Sequence, residues 1–188
     1  MRFNMHSTLA GRHAFLSPSA YRWIRYDEEK LDRVYNQTMA AQRGTRLHAL
    51  AQQLIKEGVK LPDNGQTMSM YVNDAIGFKM SPEPTFFYSD NCYGSPDAAS
   101  YSEAKKILRI HDLKTGINEA SMDQLLIYTS LFCLEYKKSP LRIDVELRIY
   151  QNNEVKVYVP DPDEIFHIMD RIKIFDRRIN DLRSEGMI

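Results

Sequence analysis

Apolar residues recur with a helical period in three stretches of the chain. The spacing predicts a long helix from about Asp32 to Lys56, a short one from Met68 to Lys79 and a third from about Glu119 to Lys137. The residues predicted to form the buried stripe of the first helix are Leu47, Leu50, Ala51 and Leu54.

Strict alternation of apolar and polar residues predicts strands between and after these helices. Residues 107–115 alternate and end at Gly116, and residues 85–88 form a shorter run. Residues 143–149 and 155–159 alternate on either side of Asn152 and Asn153, which predicts a hairpin that extends the sheet.

A closing helix is predicted to begin at Asp161 and Pro162 and to reach about Ser184. Its apolar face consists of Ile165, Met169, Ile172, Phe175, Ile179 and Leu182. We expect this stripe to pack in the core, with a subunit interface as the alternative.

Together these elements predict one α/β domain over residues 1–188, with a central mixed β-sheet flanked by helices. Residues 1–30 form an N-terminal entry segment, and residues 141–188 add the hairpin and the closing helix. With 188 residues and 43% hydrophobic content, the chain is long enough to bury one core. A functional site is expected at one edge of the sheet, where strands diverge.

Two acidic residues and a lysine fall where neighbouring strands would bring them together. Asp97 follows a proline in a short polar stretch, and Asp112 and Lys114 lie in the alternating strand that begins at Ile107. Side chains two apart in a strand share a face, so Asp112 and Lys114 emerge together. Two carboxylates hold a hard divalent cation through oxygen, which makes phosphodiester hydrolysis the indicated chemistry.

Asp-x-Lys alone is common in solvated strand ends, so two helical motifs decide its interpretation. Gly44 precedes His48 by four residues in the first long helix, and a glycine inside a helix suggests close approach of another backbone or side chain. Gln124 and Tyr128 are four apart in the third helix and therefore share a face. Core packing is the ordinary role of a lone histidine or a Gln–Tyr pair.

The order of these motifs resembles the PD-(D/E)xK nucleases, specifically the RecB-like branch that includes phage exonucleases. That family's pattern is G-x-x-x-H, G-x-x-D, D-x-K with a following glycine, and Q-x-x-x-Y. The matching residues are Gly44 to His48, Gly94 to Asp97, Asp112 to Lys114 with Gly116, and Gln124 to Tyr128. Ser17 and the aromatic, basic residues after it also resemble the family's entry segment, so the likeness spans Ser17 to Tyr128.

The resemblance implies a restriction-endonuclease-like core and assigns roles to these residues. His48, Asp97, Asp112 and the backbone carbonyl of Leu113 would ligate Mg²⁺ or Mn²⁺. Lys114 would orient the attacking water, and the catalytic set would be completed by Gln124 and Tyr128, which support Lys114 or hold the DNA strand. Oxygen-rich donors suit both metals, and one imidazole favours Mn²⁺ without excluding Mg²⁺.

The formal net charge is zero, but the charge is unevenly distributed. Residues 1–60 contain ten Lys or Arg and five Asp or Glu. Residues 61–100 contain one Lys or Arg and five Asp or Glu. Five arginines near the His48 helix are candidates for contacts with the phosphate backbone, or for an ordinary solvated face: Arg12, Arg22, Arg25, Arg43 and Arg46. Aromatic residues near the entry segment, Tyr21, Trp23 and Tyr26, are expected either to stack on unpaired bases or to anchor that segment.

Composition narrows the accessory chemistry. Cys92 and Cys133 are the only cysteines, too few for the four-thiolate iron–sulfur cluster of some relatives, so none is expected. We find no phosphate-binding Walker motif, no apolar run long enough for a membrane span and no apolar leader, so a cytoplasmic protein is expected, or one in the host cytoplasm if it is phage-encoded.

The predicted function is a Mg²⁺- or Mn²⁺-dependent deoxyribonuclease that acts as an exonuclease on linear single- or double-stranded DNA in recombination or end processing. A recombination or single-strand-binding protein is a candidate partner, and an oligomer is compatible with the sequence. The alternatives are a single-strand or structure-specific endonuclease, a non-catalytic nucleic-acid-binding module with this fold, and a hydrolase of another phosphate compound.

Overall fold

A computed structural model describes Thr8 and residues 14–186 of the chain. The chain divides into two compact units, Met1–Arg43 and Gly44–Ile188. Arg12, one of the candidate phosphate contacts, lies outside the described residues. Helix α1 spans Glu28–Glu57 and contributes residues to both units.

The first unit contains a 3₁₀ helix, Pro18–Arg25, and the beginning of α1. The Trp23 indole N–H donates a hydrogen bond of 2.9 Å to the Ser17 carbonyl, and the ring is half-buried. Tyr21 in the same helix is exposed. Trp23 therefore has an anchoring role in this segment, whereas Tyr21 presents its ring to solvent.

The second unit is an α/β structure built on a mixed five-stranded sheet. Its elements after α1 are α2 (Thr67–Gly77), β1 (Ser81–Pro82), β2 (Phe86–Ser89), β3 (Cys92–Gly94), β4 (Ala98–Ser102), β5 (Ile107–Leu113), α3 (Asp123–Glu135), a 3₁₀ turn (Pro140–Arg142), β6 (Asp144–Gln151), β7 (Glu154–Tyr158) and α4 (Pro162–Ser184). The strand order is β1-β4-β5-β6-β7, and β2 and β3 form a separate two-stranded hairpin. Among the strands of the described residues, only β5 and β6 pair in parallel, as expected where helix α3 connects them.

Each face of the sheet is covered by its own group of helices. Leu108 and Ile110 of β5 pack in one core cluster with residues of α3 and α4, whereas Leu113 packs in a second cluster with residues of α2 and the end of α1. The period of two along β5 produces this division, because alternate side chains point to opposite faces. Helices flank both faces of a mixed sheet, as the sequence predicted.

The C-terminal hairpin and the beginning of the closing helix follow their local sequence signals. Asn152 and Asn153 both have positive φ, 52° and 62°, which asparagine tolerates in a two-residue hairpin turn. The Asp161 side chain accepts a hydrogen bond from the Asp163 N–H, and Glu164 completes a capping box. Both predicted elements are confirmed.

Two predicted apolar stripes are only partly buried. Leu50 is 47% exposed, and Ile55, which the helical pattern did not include, is buried instead. In α4, Ile165 and Met169 are buried, whereas Phe175 is 50% exposed. The later stripe residues Ile179 and Leu182 are half-buried. Core packing therefore explains only the first half of the α4 stripe.

We expect Asp161→Ala to lower the free energy of unfolding by about 1 kcal/mol, because it removes an N-cap acceptor. Urea denaturation of the full chain measures this change, and Asp170→Ala in the exposed middle of α4 serves as the control. Equal effects of the two substitutions would contradict the capping role.

Candidate functional site

The predicted acidic residues meet at the end of β4 and β5. Ala98 is paired with His111 in the antiparallel register, so Asp97, one residue earlier, lies opposite Asp112, one residue later. Asp112 continues the row of Leu108 and Ile110 and therefore lies on the sheet face covered by α3.

Asp97 is held by three elements. Its Oδ2 accepts a 2.7 Å hydrogen bond from the Leu113 N–H, and its Oδ1 lies 3.2 Å from His48 Nδ1. Its backbone carbonyl accepts the Glu83 N–H at 3.0 Å. These bonds join β4 to β5, to α1 and to the residue that follows β1. The hydrogen bond to Asp97 is the main reason that the pKa of His48 is raised above 6.5.

Asp112 is a buried carboxylate, 3% exposed. Burial raises its pKa, and the charge of Asp97 raises it further, while Lys114 acts in the opposite direction. Lys114 Nζ lies 3.2 Å from Oδ1 and 2.9 Å from Oδ2, but only the contact with Oδ1 has hydrogen-bond geometry. Oδ2 is thus buried without a hydrogen bond from any described residue.

Helix α3 completes the site through Lys114. The Lys114 ammonium donates to Gln124 Oε1 at 2.9 Å, and Gln124 Nε2 donates to Tyr128 Oη at 3.1 Å. Gln124 therefore links the lysine to the tyrosine one helical turn later, as their spacing predicted. The structure thus brings together His48, Asp97, Asp112, Lys114, Gln124 and Tyr128.

Two of the three motif glycines, Gly44 and Gly94, are sites of close packing, whereas a Cβ at Gly116 would meet nothing within 4 Å. A Cβ at Gly44 would lie 2.7 Å from Thr115 Oγ1, in the segment directly after Lys114. A Cβ at Gly94 would lie 3.0 Å from Tyr128 Cε1. Both distances are shorter than ordinary van der Waals contact, so the glycines allow α1 and β3 to approach the site residues.

The donor set is suited to a hard divalent cation. It combines the Asp97 and Asp112 carboxylates with the His48 imidazole, and the buried Asp112 Oδ2 lacks a hydrogen-bond donor. In the described part of the chain, no three His, Cys, Asp or Glu side chains are already grouped as a metal site. The donor types are therefore those that Mg²⁺ and Mn²⁺ prefer, although their present positions do not form a ligand sphere.

Two further polar residues near the site were not assigned by the motifs. Glu83 has a positive φ of 49°, its N–H donates to Asp97, and its carboxylate accepts a 2.7 Å hydrogen bond from Gln52, one helical turn after His48. The Glu83 side chain is exposed, but its contacts support the Asp97 end of the site.

A buried hydrogen-bond network lies behind Asp112, on the opposite face of β5. Tyr150 Oη donates to Asp74 at 2.7 Å and lies 3.1 Å from His111 Nδ1. Because the Tyr150 proton goes to Asp74, the His111 Nδ1 must carry the proton of that contact. Burial lowers the pKa of His111 to about 3, so this histidine is neutral. Sequence spacing alone gave no signal for this network, because its residues come from α2, β5 and β6.

The predicted DNA-contacting arginines are distributed over both units. Arg22, Arg25 and Arg43 belong to the first unit and Arg46 to the second, and all four side chains are exposed. Cys133 is buried, Cys92 is half-buried, and both are free thiols. Within the described residues, no helix has the length and apolar character needed to cross a membrane.

Comparison of the chain with protein-family models, with curated proteins and with solved structures gives no match. The interpretation of the site therefore depends on its own residues and geometry.

We expect Gly44→Ala to be coupled to Thr115. Replacing a glycine in a helix interior by alanine normally raises the free energy of unfolding by about 1 kcal/mol. Gly77→Ala, at the last residue of α2 and with no atom within 4 Å of the added Cβ, should show part of that gain. Gly44→Ala should not show it in the wild-type background, but should recover it in the Thr115→Ala background. Denaturation of the four variants measures the coupling, and additive effects would contradict the proposed contact.

We expect His111 to make the protein less stable in mild acid. Its pKa is about 3 in the folded chain and 6.5 ordinarily, so below pH 6.5 the unfolded chain takes up a proton that the folded chain does not. The free energy of unfolding should therefore fall by about 2 kcal/mol from this group between pH 7 and pH 5. His111→Asn keeps a donor towards Tyr150 and should flatten the dependence; an unchanged pH slope would refute the neutral assignment.

Proposed function

We propose that the chain is a metal-dependent deoxyribonuclease with a restriction-endonuclease-like core, acting as an exonuclease on linear DNA. The observation that carries this proposal is the convergence of Asp97, Asp112 and Lys114 at the ends of two paired strands. The mixed sheet, with β4 and β5 antiparallel and β6 parallel after α3, supports the fold assignment.

His48, Asp97, Asp112 and the Leu113 carbonyl would hold Mg²⁺ or Mn²⁺. When bound, such an ion lowers the pKa of water and offsets negative charge on the phosphate oxygens. The Leu113 N–H already fixes Asp97 Oδ2, so the Asp97 carboxylate is oriented before any ion arrives. Protonation of His48 or Asp112 competes with cation binding, and both groups have raised pKa values.

Lys114 would serve the reacting phosphate directly. Its ammonium is held between Asp112 and Gln124, and the side chain as a whole is 30% exposed, so Lys114 is both positioned and accessible. A fixed cation at this point orients the nucleophilic water and stabilises charge that develops on the phosphate. Tyr128 restrains Gln124 and thereby the lysine.

We expect wild-type protein with Mg²⁺ or Mn²⁺ to degrade end-labelled linear DNA and to spare circular DNA. Lys114→Ala should reduce the rate by at least about 100-fold, because a preorganised donor to the transition state is removed. Lys137→Ala removes the same charge from an exposed position and should cleave like wild type.

Other results of this cleavage experiment would support one of the alternative functions. Cleavage of circular DNA would make the protein an endonuclease, and turnover of small phosphate esters alone would exclude the nuclease. If folded wild type cleaves no DNA with either metal, the enzymatic proposal fails and a binding module is favoured. Equal cleavage by Lys114→Ala and Lys137→Ala would remove the assigned role of the lysine.

A further inference from the structure

A cationic groove of about 430 Å³ lies beside β4, at a distance from the acidic residues. Lys79 reaches it from the segment after α2, Lys105 from the turn between β4 and β5, and Arg109 from β5 itself. Ser100 and Ser102 line it with two hydroxyl groups. None of the described lining residues carries a carboxylate.

The positive charge of this groove is only partly neutralised. Arg109 donates through Nε to Glu146 at 3.1 Å, and Arg148 donates to the same oxygen at 3.1 Å. Lys79 and Lys105 form no side-chain ion pair with any described residue. The two lysines therefore leave the groove with net positive charge.

The Arg109 guanidinium is also held in place. Its Cζ lies 4.5 Å from the centre of the Phe78 ring, and the Cζ of Arg148 lies 4.9 Å from the same centre. Because Arg109 uses Nε for Glu146, its terminal nitrogens still have donors for a ligand. Cations and hydroxyl donors without a lining carboxylate are suited to a phosphate group.

The groove and the candidate site border the same strand from opposite faces of the sheet, because Ser100 and Ser102 alternate along β4 with the row that Asp97 begins. A nucleic acid strand that reaches both must therefore pass the edge of β4. Asp97 directly precedes β4, and Ser100 and Ser102 lie three and five residues further, which corresponds to about 10–17 Å. β1 pairs only with Ala98 and Ala99, so the described residues provide no strand partner on that side of β4 beyond Ala99. An extended nucleic acid strand of a few nucleotides covers this distance, since single-strand-binding folds accommodate roughly 4–16 nucleotides.

We infer that this groove binds backbone phosphates of the DNA strand, away from the phosphate that is cleaved, through Lys79, Lys105 and Arg109. The inference rests on the proposed function, because it assigns the groove to the same substrate. It differs from the sequence-based expectation, which placed backbone contacts on arginines near the His48 helix.

The test is fluorescence anisotropy of a labelled single-stranded oligonucleotide, with metal chelated so that only binding is read. Lys79→Ala with Lys105→Ala is compared with Lys137→Ala with Lys60→Ala, which removes the same charge from exposed positions outside the groove. Lys137 matches Lys79 closely, because each follows a helix C-cap with φ of 53°.

We expect the groove variant to bind the oligonucleotide at least roughly tenfold more weakly than wild type near 0.1 M salt. Each lost contact with a single-strand phosphate reduces the slope of log K against log salt concentration by about 0.7. The magnitude of its slope should thus fall by about 1.4, while the control variant retains the wild-type slope. Equal affinity and slope in both double variants, or no binding by wild type at any salt, would overturn the inference.

Cleavage is measured separately, so failure of the two proposals can be distinguished. If Lys114→Ala loses metal-dependent cleavage but the two double-lysine variants bind equally, the nuclease proposal stands and the proposed phosphate binding by the groove is rejected. If binding depends on the groove lysines but wild type does not cleave DNA, the proposed phosphate contacts stand and the nuclease proposal is rejected.

Discussion

The arrangement of the site depends on the Asp97 carboxylate. One oxygen accepts the Leu113 N–H at 2.7 Å and the other lies 3.2 Å from His48, so a single side chain joins β4, β5 and α1. Loss of this acceptor would leave a backbone N–H at the end of β5 without its partner, which costs about 1–3 kcal/mol when buried. The same bond places the Asp97 carboxylate opposite Asp112. The two acidic residues are therefore neighbours because this hydrogen bond joins β4 to β5.

Asp112 and Lys114 lie between the hydrogen bonds of Asp97 and helix α3. A carboxylate that is only 3% exposed requires a compensating charge, and Lys114 supplies it while Gln124 limits where the ammonium can go. On the opposite face, the neutral His111 brings no second charge near Asp112. Asp112 and Lys114 thus lie together on one face of β5, where a divalent cation would compensate the remaining acidic charge.

Local signals in the sequence predicted much of this arrangement, but not the contacts that join distant segments. Asn152 and Asn153 specify their turn by backbone preference, and the spacing of Gln124 and Tyr128 puts them on one face of α3. The position of Asp112 beside Lys114 could be predicted for the same reason, since the two residues are two apart in one strand. By contrast, helical periodicity placed Phe175 in the buried stripe of α4, but its exposure depends on which other elements pack against that helix. The cationic groove collects residues from three separate segments, which no single period in the sequence reveals.

We propose that the carboxylates at the ends of β4 and β5 form a divalent cation site. The decisive experiment is isothermal titration of Mn²⁺ into metal-free wild type and Asp112→Asn at neutral pH. Asp112→Asn keeps the size of the side chain and removes its charge. We expect saturable Mn²⁺ binding by wild type that is lost or weakened at least tenfold in the variant. Equal binding by the two proteins, or no binding by folded wild type, would contradict it.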